Sequence, residues 1–464
     1  MTTAEATPDL EEIVENPDDR AFLGHPKGLG YLAFVEGCER FSYYSMQTLL
    51  TLYMVNFLLL PENVSSVIGL GWLQENWWGG KTGQPLASDI FGNYTALVYL
   101  TPILGGIAAD KWMGRRGALV AGGIVMSLGH FLMAFQPMFL LALLCLIVGV
   151  GLFKGNIATQ VGELYGPNDL RRAMAFQIFY IAIQVSVIAS PLIAGTLGES
   201  VGWHYGFGCA GVVMVLGLLL YLKAKPYLPP DKRDLPKPAV KETSFEPGDG
   251  ARIAALLALV PAIAIALLPN QEIFNAYLVW ADQHFDLVFF GTKLPTSWMI
   301  TVDSAMSFLV LVGITWFWKW WGDSGRWEPD ELGKLIIGSV FTIGGALCLY
   351  MAALTQGDGK IGLFWPVMFH FLNSLGFGHV LPVSLALVTK IAPRKMTATS
   401  VGIYYLAFFL ANYVVGKVGG WYSTMPTPQF WLVHVGAAVI GLVAFVVFKL
   451  FLSHRFSDEA RATN

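Results

Sequence analysis

The run Glu36-Gly37-Cys38-Glu39-Arg40-Phe41-Ser42-Tyr43-Tyr44 sets two carboxylic acids, a guanidinium and two phenols inside an otherwise apolar segment. At about 100° per residue, Glu36, Arg40, Tyr43 and Gln47 fall on one face of a helix, with Glu39 about 60° to the side. A charge at the centre of a bilayer costs about 2.5–3.5 kcal/mol on insertion scales, so these groups must face a protein interior and pair with one another. Such a stripe can be an ion-pair staple or a site that exchanges protons and binds an anion. The second chemistry has a clear logic: an ionised Glu36 or Glu39 competes for Arg40, and a protonated one frees its planar fork for an incoming carboxylate. Proton and anion binding then favour each other. Lys154, the other deeply apolar cation of the first half, belongs to the same reading.

The elements that must hold this stripe are membrane helices. Of 464 residues, 55% are hydrophobic and 13% charged, where a soluble domain has about 25% charged. Twelve apolar segments are each long enough to span a bilayer, at 29–58, 90–109, 117–136, 138–164, 172–197, 205–223, 251–286, 296–321, 333–354, 362–390, 397–421 and 428–451. The expected fold is an all-α membrane protein whose chemistry lies within the bilayer. Residues 1–27 are polar and acidic (Glu11, Glu12, Glu15, Asp18, Asp19), without the pattern of a cleaved signal peptide. Cys38, Cys145, Cys209 and Cys348 lie inside predicted helices, without metal-ligand or disulfide spacing, and read as packing residues. No nucleophile–base pair or metal cluster suggests an enzyme. Gly80-Lys81-Thr82 has Glu75 where a phosphate loop needs its first glycine. No cofactor and no nucleic-acid partner is expected.

Lysine and arginine favour cytoplasmic loops. With the N-terminus inside, 23 of the 29 fall in cytoplasmic segments, while Lys81, Lys293 and Lys360 fall outside and Arg40, Lys154 and Lys417 within helices. Both termini are expected to be cytoplasmic, with Trp72, Trp77 and Trp78 at the outer interface. The proline-rich, mixed-charge stretch 225–250 reads as a solvated linker. It divides the chain into a tail (1–27), a six-helix bundle (28–224), the linker, a second bundle (251–452) and a tail (453–464). Two six-helix halves around a midplane site are the layout of a major facilitator transporter. Gly106, Asp110, Lys111, Gly114, Arg115 and Arg116, after the second helix, resemble that superfamily's loop signature. Asp110, Arg115 and Arg116 are the expected gating residues, against the simpler alternative of a basic cytoplasmic turn.

The first-helix segment also resembles the E-x-x-E-R-F-x-Y-Y signature of the proton-dependent oligopeptide transporter family. So do His25-Pro26-Lys27-Gly28, Tyr99-Leu100-Thr101-Pro102, Gly151-Leu152-Phe153-Lys154-Gly155-Asn156, Gly202-Trp203-His204-Tyr205-Gly206-Phe207, Trp280-Ala281-Asp282, Pro295 with Trp298, and Pro382 with Thr389-Lys390-Ile391-Ala392-Pro393. The resemblance implies proton-coupled symport of di- and tripeptides by alternating access, in a bacterial inner membrane, by a monomer whose partners are substrate, protons and lipid. Glu36, Glu39 and Arg40 would couple protons. Arg40, Tyr43, Tyr44, Tyr94, Lys154, Gln184, Gln271, Asp303 and Phe377 would contact substrate, although a membrane-helix tyrosine is as readily a packing residue.

Several departures bear on the substrate. The two extra helices of many bacterial relatives are replaced by the short linker. Gln47 and Gln271 stand where the family has a basic–acidic pair, with Glu272 next door. The family's I-N-x-G-S in helix 5 reads Ile183-Gln184-Val185-Ser186-Val187, and its helix 10 acid is Phe377. Asp303 is a gained acid in the same half: an amine partner, a second proton site, or a carboxylate capping near the outer end of helix 8. His379, one turn before Pro382, is of a type that can titrate in the physiological range, but is expected to be simply hydrogen-bonded. A carrier of another small anionic or zwitterionic solute, and a non-transporting receptor, are the alternatives.

Overall fold

A computed structural model describes residues 19–166, 169–229, 231, 245, 248–393 and 396–452. Glu11, Glu12, Glu15 and Asp18 of the acidic tail, most of the 225–250 linker and the 453–464 tail lie outside the described residues. Twelve long helices follow: α1 (Lys27–Tyr53), α2 (Gly83–Ala108), α3 (Gly114–Leu132), α4 (Phe139–Glu163), α5 (Arg171–Ser190), α6 (Trp203–Ala224), α7 (Asp249–Gln271), α8 (Trp298–Asp323), α9 (Glu331–Thr355), α10 (Phe364–Ile391), α11 (Thr397–Gly419) and α12 (Thr427–Leu452). They match the twelve expected segments in order. Ten stretches are long and apolar enough to cross a membrane. The two counts agree once α2 and α3 are taken as the single stretch Gly83–Leu132 and α1, diluted by its polar stripe, is left out.

The expected continuous helix 251–286 is broken. After α7 a single turn, Glu272–Phe274, leads to Asn275 at φ −119° and ψ −111°, and a new helix runs Ala276–His284. A break strands backbone donors, and inside a membrane they must be satisfied by protein. Here the Glu272 carboxylate accepts the Ala276 N–H at 3.1 Å. Hydropathy reports length, not this interruption.

The chain forms two compact units. One holds Met1–Met46, Thr101–Gly198 and Gly202–Val240; the other holds Gln47–Leu100, Glu199–Val201 and Lys241–Asn464. The boundary therefore cuts α1 after Met46 and α2 after Leu100. Small residues let helices approach where hydrophobic burial cannot drive association. In the first unit, a Cβ on Gly105 of α2 would lie 1.9 Å from the Gly151 carbonyl oxygen of α4, one turn before Lys154. In the second, a Cβ on Gly92 of α2 would lie 2.4 Å from the Gly416 Cα of α11. The second unit also has an apolar core in which Leu256, Ile263 and Leu267 of α7 cluster with Leu335, Val388 and Phe445.

Candidate functional site

In the first unit the stripe is buried and paired within one helix. Arg40 Nε donates to Glu39 Oε2 at 2.5 Å and lies 3.2 Å from Glu36 Oε1, with the three side chains 5%, 0% and 6% exposed in the order Arg40, Glu39, Glu36. The Arg40 guanidinium is 5.2 Å and Lys154 Nζ 5.8 Å from the Tyr43 ring centroid, so α4 brings its cation to the same phenol. Tyr44 packs edge-on against Tyr43 at 5.1 Å. Two acids and two bases make a cluster that is neutral when all four are ionised. Both carboxylates lean on Arg40 Nε, and among the described residues Glu36 Oε2, Glu39 Oε1 and Arg40 Nη2 are buried without a hydrogen-bond partner. Buried polar atoms are rarely left this way. The arrangement can therefore take a proton on a carboxylate and an acceptor on the guanidinium. Gln184, half-buried on α5, is in the same unit.

The remaining predicted contacts lie in the second unit. Tyr94 is buried on α2. Gln271 donates to Asn270 Oδ1 at 3.0 Å and accepts from Asn412 Nδ2 at 3.3 Å, forming a neutral amide cluster. Phe377 packs against the apolar core. Asp303 does not cap α8: that end is held by Glu199, whose carboxylate accepts the Thr296 and Ser297 N–H groups at 2.7 and 2.8 Å. Its carboxylate instead meets His370 Nδ1 of α10 at 2.8 Å, and His370 Nε2 meets the Tyr277 hydroxyl at 2.7 Å. A second buried acid, Glu272, lies 3.3 Å from His434 Nε2 of α12. His379 is simply hydrogen-bonded, with Trp318 Nε1 at 3.1 Å and the Leu375 carbonyl at 2.7 Å. It borders an open groove of about 800 Å³, otherwise apolar, between α8, α9 and α10.

The loop signature is held by a contact from the linker. Gly114 takes φ +70°, which favours glycine, and the following N–H groups of Arg115 and Arg116 are accepted by Asp231 at 3.3 and 3.1 Å. The cap on α3 thus comes from the linker, not from Asp110, which is largely exposed and 3.9 Å from Arg115. Arg115 also pairs with Glu163, and Arg116 binds the Leu228 and Pro229 carbonyls.

Sequence reasoning passed over His370, His434, Asp89 and Asp231. Asp89, 1% exposed, bridges Lys81 at 2.6 Å and Lys417 at 2.7 Å. A usable signal existed for His370: it precedes Phe377 by seven residues, two turns back on the same face, where the resemblance led one to look for a titratable group.

The pattern of the Major Facilitator Superfamily matches residues 40–416, from the arginine of the stripe to the Gly92–Gly416 contact of α11. The chain belongs to the major facilitator superfamily. Within the superfamily it is similar to an uncharacterized transporter, YclF, of Bacillus subtilis (28% identity over 95% of this chain and 96% of the other). It is likewise similar to the peptide transporter YePEPT of Yersinia enterocolitica (27%, over 89% and 91%). A di-/tripeptide transporter of Lactococcus lactis is 25% identical over 94% and 97%. Among solved structures, a peptide transporter of the POT type in complex with sulfate superposes with a TM-score of 0.81 at 25% identity, covering 95% of this chain and 98% of that one. This major facilitator chain is therefore a multi-pass membrane transporter and not an enzyme.

Proposed function

We propose that this protein is a proton-coupled symporter that imports di- and tripeptides across a bacterial inner membrane by alternating access, as a monomer with both termini cytoplasmic. The observation that carries the reading is the buried Glu36–Glu39–Arg40 cluster with Lys154 beside it. Protonating one glutamate leaves the cluster with a net positive charge and Arg40 with more free donors, which favours a peptide carboxylate. Tyr43, Tyr44, Tyr94, Gln184 and Gln271 would then line the path, with Asp110, Arg115 and Arg116 acting at the cytoplasmic gate. The named peptide transporters among its relatives support this substrate class.

A second reading, a proton-linked carrier of another small anionic or zwitterionic solute, is favoured by one specific observation. The position where an acid would meet a peptide amine is Phe377, and Asp303 is already bonded to His370. The test is uptake by purified protein in liposomes under an inward proton gradient. Accumulation of labelled di- and tripeptides that a protonophore abolishes is the expected result. Binding without flux would point to a receptor, and flux of other carboxylates but not of peptides would select the second reading.

A further inference from the structure

We infer that the chain Tyr277–His370–Asp303 is a second proton-carrying site, in which the imidazole of His370 holds the proton and Asp303 balances its charge. This deepens the symport reading and rests on it. The geometry is that of a group satisfied in two protonation states. With His370 neutral, Nδ1–H donates to Asp303 Oδ1 at 2.8 Å and Nε2 accepts from the Tyr277 hydroxyl at 2.7 Å. When Nε2 takes a proton, it donates to the same Tyr277 oxygen, whose hydroxyl turns from donor to acceptor. No heavy atom has to move, and no hydrogen bond of the imidazole is lost in either state.

Burial makes the proton count. His370 is 0% and the Asp303 side chain 11% exposed. A lone carboxylate or a lone imidazolium there is costly, whereas the protonated pair is neutral overall. Asp303 is the more accessible end of the chain of three groups. Among the described residues, the titratable groups touching His370 are Tyr277, from the helix after the α7 break, and Asp303, from α8. At this level α9 contributes Gly345 against Phe369 and Asn373. On α12 the nearest ring is Trp431, 6.4 Å from Tyr277, and beyond it lie His434 and Glu272. Among the described residues, neither His370 nor Asp303 is paired with a lysine or arginine, unlike the first-helix acids.

The experiment has two arms. In liposomes, each proton coupled to a neutral solute raises the limiting accumulation about tenfold per pH unit of gradient. H370Q is expected to lower that limit about tenfold per pH unit and to reduce the proton-to-substrate ratio by one, with solute exchange falling much less. An unchanged ratio in a folded H370Q protein would overturn the inference. The second arm needs no substrate: in protein with ¹⁵N-labelled histidine, the signal that disappears in H370Q should pass between the neutral and the doubly protonated form across a pH series. Y277F, which leaves the imidazole in place, should move the midpoint of that change if H370Q proves unstable. A His370 signal fixed in one state would defeat the inference even if transport is confirmed, and a titrating signal without peptide uptake would defeat the peptide reading alone.

Discussion

Glu36 and Glu39 of the first unit and Asp303 and Glu272 of the second are all buried acids, but their partners differ. In the first, Glu36 and Glu39 share Arg40, with Lys154 near. In the second, Asp303 and Glu272 each meet a histidine, His370 and His434. A guanidinium does not give up its proton in a protein, so in the Glu36–Glu39–Arg40 group only the carboxylates can change state, and each change alters what Arg40 is free to bind. An imidazole can hold or release the proton itself, so in the second unit the acid can keep its charge throughout. The first arrangement suits coupling of protons to an anion; the second suits storage of a proton away from the anion.

The contrast breaks most sharply at Arg40. R40K keeps the charge but loses the fork, and R40A loses both; either is expected to weaken substrate binding by about 2–5 kcal/mol, roughly 30-fold to a few thousand-fold, measured by uptake and by binding. Wild-type affinity in R40K would show that charge alone suffices. Next, E36Q and E39Q are expected to lose about tenfold of proton-driven accumulation per pH unit while retaining exchange, as measured with and without a gradient. If only one of them does so, the proton has a single carrier in the stripe.

Smaller effects test what holds each region. D89N removes the carboxylate that ties Lys81 to Lys417, and loss of a buried charged acceptor should cost about 1.5–3 kcal/mol, seen as a lower thermal midpoint. Y277F leaves His370 with one partner fewer and should cost about 1 kcal/mol in the same assay. Weakest is D169N. A hydrogen bond from the Arg171 guanidinium holds the Asp169 carboxyl below its usual range. A lowered folded-state value stabilises above the unfolded pKa, about 3.9 for aspartate, and that contribution disappears as the pH falls through the folded value. The wild-type advantage should be a few tenths of a kcal/mol at neutral pH and vanish in acid.

Much of the candidate site was legible because its residues are close in sequence. Glu36, Glu39 and Arg40 lie on one helix, and helical geometry alone brings them together. Asp303 was legible as an anomaly, an acid in an apolar helix, but its partner was not. His370 lies 67 residues away, and no local pattern joins them. Asp231 was illegible for a related reason: 115 residues beyond Arg116, it arrives from a linker whose composition gave no hint of a structural contact.

The sequence by itself determined the membrane class, the twelve helices and the polar stripe. Hydropathy and the 3.6-residue period are local properties, and a bilayer leaves few other ways to satisfy a backbone. Only the tertiary structure decided that α7 breaks at Asn275, that Asp89 joins Lys417 across 328 residues, and that Asp303 answers to a histidine. Those choices depend on which helix faces lie within hydrogen-bonding distance, and packing sets that distance.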